Sequence, residues 1–110
     1  MKDSLRQQFE RLGLRLAELD TLLADGSIAA DMKRYRALTK EQSEASQLVS
    51  TYRRYEQVER DVAAARDMLS DPDMAEMARE EIAAGEAELA HLHEELQLAL
   101  VAGLALGPQL

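Results

Sequence analysis

The chain has 110 residues and a formal net charge of −8, with one Phe, three Tyr, no Trp and no Cys. That length holds one small domain, and the missing Cys excludes disulfides, thiolate catalysis and zinc knuckles together. Ala, Leu, Glu, Arg and Gln dominate, so an all-α fold is predicted: antiparallel helical hairpins with coiled-coil packing, two shorter helices flanking one long central helix.

The first helix is predicted over residues 3–24. Leu5, Phe9, Leu12, Leu16, Leu19 and Leu23 recur at alternating steps of four and three, a coiled-coil seam that Leu14 and Leu22 widen. Gly13 interrupts it at a helix cost of about 1 kcal/mol. Asp25-Gly26 is the expected stop, with Gly in the left-handed conformation, and either Ser27 or Asp31 caps the central helix.

The central helix is predicted over residues 31–69, a stretch without Gly or Pro after Met32. Its apolar positions are Tyr35, Leu38, Ala45, Val49, Tyr52, Tyr55, Val58, Val62, Ala65 and Leu69. Two successive steps of three, Tyr52 to Tyr55 to Val58, rotate the stripe partway round the helix, so the two halves offer different docking faces. A helix of roughly 55–60 Å cannot be covered by one ordinary neighbour. The first helix therefore folds back along one half and the third along the other.

Ser70-Asp71-Pro72-Asp73 marks the second stop, with Asp71 as N-cap and Pro72 in the first helical position of a helix predicted over 72–100. Its seam is Ala75, Ala78, Ile82, Gly85, Leu89, Leu92, Leu96 and Ala99, with Met74 and Met77 beside it. Residues 71–110 carry nine acidic residues against Arg79, whereas residues 1–70 balance twelve against twelve. An acidic helix repels phosphate backbones, so direct nucleic-acid binding is not expected. Arg53, Arg54, Arg60 and Arg66 are the expected counter-charges.

No nucleophile stands beside a base and an orienting group, and no Gly-rich phosphate loop is present, so neither catalysis nor a cofactor or small-molecule site is predicted. His91 and His93 are two apart and point in different directions, which argues against metal ligation. Tyr35, Tyr52 and Tyr55 have helical spacing that places them in the core rather than as base-stacking platforms. Lys33, Arg34, Arg36, Arg53 and Arg54 are candidate partner-binding residues, weighed against a solvated face and ion-pairing with the third helix.

The N-terminus runs straight into a charged helix, and the apolar run Leu98 to Leu106 is about half the length of a spanning helix. A cytoplasmic protein without membrane association is expected. Residues 101–110 are uncharged and apolar, with Gly and Pro, the expected signature of a tail or a truncated linker.

Three strings carry a resemblance: Arg34-Tyr-Arg-Ala-Leu-Thr-Lys-Glu, Tyr55-Glu-Gln-Val-Glu-Arg-Asp-Val, and Met68-Leu-Ser-Asp-Pro-Asp-Met-Ala-Glu-Met-Ala-Arg-Glu-Glu-Ile. Together they resemble the N-terminal helical domain of bacterial peptide chain release factors of type 1, over residues 1–100. The resemblance implies a part in translation termination on the ribosome. In that family a codon-reading tripeptide and a Gly-Gly-Gln loop belong to later domains; neither is in this sequence, so no catalytic residue carries over. The partners it implies are the ribosome, at the large-subunit region of ribosomal protein L11, and the GTPase release factor 3. Where the family continues through a Pro-containing linker, this chain departs at Val101, which suggests a truncated or altered C-terminus. The competing reading is a freestanding coiled-coil scaffold or adaptor that self-associates.

Overall fold

Heptad-like spacing of apolar residues makes each segment amphipathic, and in the computed structural model three helices result. The structure describes residues Met1–Gly103. Helix α1 spans Asp3–Ala24, α2 spans Met32–Asp67 and α3 spans Ala75–Val101. No strand occurs among the described residues. Short 3₁₀ turns, Gly26–Ala30 and Met68–Ser70, lie in the two connections. From Leu104 onward the expected apolar tail lies outside the described residues.

The connection between α1 and α2 is closed by carboxylates. Asp25 breaks α1 in an extended conformation (φ −74°, ψ 119°), and its Oδ1 accepts from both the backbone N–H and the hydroxyl of Ser27, each at 3.0 Å. These bonds, the backbone one first, hold the Asp25 carboxyl below its usual pKa. Gly26 therefore does not take the left-handed conformation expected of it: the Asx turn satisfies the chain reversal without a positive φ. Asp31, not Ser27, caps α2, its Oδ1 accepting the Arg34 N–H at 3.1 Å.

At the second connection α3 begins three residues later than predicted. The Asp71 carboxylate accepts the Asp73 N–H at 2.9 Å, and the Met74 N–H reaches the Asp71 carbonyl at 3.0 Å. The Pro72 segment thus closes a tight turn before the i to i−4 ladder starts. At the far end Gly103 adopts φ +70°, just after the last turn of α3.

The residues form two compact units, one of Met1–Ser50 with the stretch from Leu98, the other of Thr51–Gln97. In the first, Phe9, Leu12 and Leu19 of α1 are buried together with Leu38 and Ala45 of α2 and Ala99. Arg15 stands nine residues before the end of α1 and Glu41 nine residues after the start of α2, yet their side chains bond. The two segments therefore run antiparallel. In the second unit Tyr52, Tyr55, Val58, Val62 and Ala65 of α2 are buried with Ala78, Leu92 and Leu96 of α3.

Burial is narrower than the apolar pattern. Leu14 is 73% exposed and so does not widen the α1 seam. Leu69 and Tyr35 are exposed as well. Tyr35 lies in a stretch, Asp31 to Ala37, in which every residue is exposed, so the α2 seam starts only at Leu38.

Candidate interaction surfaces

The first two turns of α2 form the most accessible basic surface of the first unit. With the helix started by the Asp31 cap, Lys33, Arg36 and Lys40 stand at steps of three and four and share one side of the helix, with Arg34 beside them. All four are exposed, and among the described residues none has a carboxylate within ion-pair distance. The Tyr35 ring lies exposed on the same two turns, correcting the expectation that it fills the core.

Arg53 and Arg54, the other two candidates, sit in the second unit and are engaged. Arg53 lies over the Tyr52 ring, 5.5 Å from its centroid, and Nη1 donates to Glu56 at 2.8 Å. Arg54 grips Glu88 of α3 with both edges of its fork, Nε at 2.7 Å and Nη2 at 2.9 Å. These bonds hold the Glu88 carboxyl below and the Arg54 guanidinium above their ordinary values. Arg66 pairs with Glu86, while Arg60 bonds to Gln57 on its own helix. Of the expected counter-charges to α3, Arg54 and Arg66 bond across to it.

His91 is exposed and bonds Glu95 one turn on at 2.9 Å, whereas the His93 ring tilts against Tyr55, centroids 6.3 Å apart. No three potential metal ligands converge among the described residues. No helix there is long and apolar enough to cross a membrane.

The electrostatic tie of the first unit is Arg15, which forks onto Glu41 at 2.7 and 2.9 Å and reaches Glu18 at 2.6 Å. The hydrogen bonds from Arg15 hold the Glu41 carboxyl below its usual value of 4.5 against the opposing effect of burial. A carboxyl with a depressed folded pKa stabilises above the unfolded value and loses that contribution as pH falls through the folded one. Both side chains are about one-third exposed, so the contribution is at most about 1 kcal/mol. Urea melts of Glu41→Gln should show a deficit of that order at pH 7 that closes at pH 3. A deficit of equal size at both pH values would assign the loss to packing.

A further surface, which periodicity and charge alone do not mark, runs along the second unit. Between α2 and α3 lies an open groove of about 420 Å³ floored by Val58, Val62, Ala65 and Gly85, with Met68 at one end. Its signal was present in the small residues Ala64, Ala84 and Gly85, but only pairing the helices brings them together.

Residues 12–104 match the PCRF domain. The chain belongs to the PCRF domain family. As a PCRF domain it is 54% identical over 101 residues to peptide chain release factor 1 of Variovorax paradoxus (strain S110), covering 92% of this chain and 28% of that relative. The same figures hold for the release factors 1 of Paracidovorax citrulli (strain AAC00-1) and Delftia acidovorans (strain DSM 14801 / SPH-1). This PCRF domain is homologous to the N-terminal region of release factor 1 and spans 28% of the length of these curated relatives. No solved structure matches it.

Proposed function

We propose that the chain serves as the N-terminal module of a bacterial release factor in translation termination, a non-catalytic part that meets the ribosome in the cytoplasm. The observation that carries this is 54% identity to release factor 1 across 92% of the chain. The module contributes contact, not hydrolysis: Lys33, Arg34 and Arg36 supply free positive charge on α2, whereas Arg53 and Arg54, in the second unit, are tied to Glu56 and Glu88. The partners proposed are the L11 region of the large subunit and the GTPase release factor 3. The exposed Leu14 and Val101 favour weak self-association of the isolated chain.

The test is a chimera in which this chain's residues replace the aligned segment of the Variovorax release factor, assayed for stop-codon-dependent peptide release. The chimera should release peptide and the isolated chain should not. Reversing Lys33, Arg34 and Arg36 to Glu in the chimera should weaken ribosome association by about tenfold or more, with a shallower salt slope. A folded chimera without release activity, or release by the isolated chain, would overturn the proposal.

A further inference from the structure

The groove of the second unit has features that together specify an occupant. Its floor is apolar and shallow because Ala64 of α2 and Ala84 and Gly85 of α3 project almost nothing into it. Small residues on facing helices let another backbone approach closely, and an open trough between two helices is the seat that an amphipathic helix takes. Met68, 41% exposed, forms a flexible lip able to mould to an apolar side chain.

Charge selects among the helices that could lie there. Asp61 stands on the α2 wall and Glu81 on the α3 wall, and the one cation lining the groove among the described residues, Arg54, is already committed to Glu88. Around this trough residues 51–97 hold thirteen acidic against five basic residues, a net −8. RNA would bring phosphates, and the Thr51–Gln97 unit of a second copy would bring the same negative charge; both are repelled. A helix with an apolar stripe flanked on each side by Lys or Arg meets the floor with the stripe and the two carboxylate walls with its cations.

We infer that the groove between α2 and α3, over Gly85 and between Asp61 and Glu81, docks a basic amphipathic helix of a partner protein. This surface is distinct from the basic turns of α2 and does not depend on the release-factor reading.

The test uses the full chain and a synthetic 18-residue helical peptide of Leu, Lys and Arg with its leucines at steps of three and four. A permuted peptide of identical composition, without the stripe, is the comparison, and binding is followed by amide and methyl NMR and by fluorescence anisotropy. The striped peptide should shift Val62, Ala84 and Gly85 and bind about tenfold or more tightly than the permuted one. Glu81→Lys should weaken it about tenfold through lost charge, and Ala84→Leu by a similar factor through filling the trough. Lys33→Glu should leave it unchanged. Equal binding of the two peptides, undiminished binding to both groove variants, or no binding by the striped peptide would each overturn the inference.

Discussion

Replacing Phe9 with alanine is expected to lower the free energy of unfolding by about 3–5 kcal/mol, while Leu14→Ala, five residues along the same helix, changes it by less than about 0.5 kcal/mol. The sequence presents both as apolar residues of one amphipathic helix. Phe9 has no exposed surface and Leu14 is 73% exposed. Truncating Phe9 removes the whole apolar side chain and leaves a cavity that packed neighbours fill only in part; truncating Leu14 removes surface already wetted. Since small domains are stable by roughly 5–15 kcal/mol, the Phe9 change alone takes a large share of that margin. Urea melts followed by circular dichroism give both values. Comparable losses for the two variants would mean that α1 presents a different side to its neighbours.

The second expected result runs against helix propensity. Gly85 lies inside α3, where Gly→Ala ordinarily gains about 1 kcal/mol. Here a Cβ on residue 85 would run into Cγ2 of Val62 and come within 3.7 Å of Cγ1 of Val58. Val62 is buried and β-branched, so within a helix it is held largely to one rotamer and cannot swing aside. Overpacking of this kind costs about 1–3 kcal/mol, so Gly85→Ala should be neutral to clearly destabilising, and Gly85→Leu should disrupt the second unit. A double-mutant cycle isolates the cause: with Val62→Ala in place, Gly85→Ala should regain most of its helical benefit, an interaction of about 1–2 kcal/mol. If Gly85→Ala raises the urea midpoint on its own, the helices are further apart there than the structure places them.

Much of the fold was legible because helix formation is local. The 3.6-residue period, the unbroken run after Met32 and the Asp25 and Asp71 stops are properties of neighbours in sequence; they predict three helices at residues 3–24, 31–69 and 72–100, where the structure has 3–24, 32–67 and 75–101. The absence of any cysteine and the concentration of acidic residues after Ser70 were likewise readable without a structure. So was the kinship: strings such as that from Met68 to Ile82 belong to the residues that match the PCRF domain.

Tertiary structure decided which apolar residues are core and which charges are free. Periodicity marks a stripe, but how much of it is covered depends on where the neighbouring helix reaches, and this left Leu14, Tyr35 and Leu69 exposed. Long side chains choose partners across space, so composition could not separate Arg54, locked to Glu88, from Lys33 and Arg36, which stand open. Cap choice turned on a single hydrogen bond from Arg34 to Asp31 rather than on residue type. The groove over Gly85 exists only because Ala64 and Ala84, twenty residues apart, come to line one trough. Local sequence sets the helices because their bonds are made within a few residues; docking surfaces are set by contacts between residues far apart in the chain, which only the packed helices bring together.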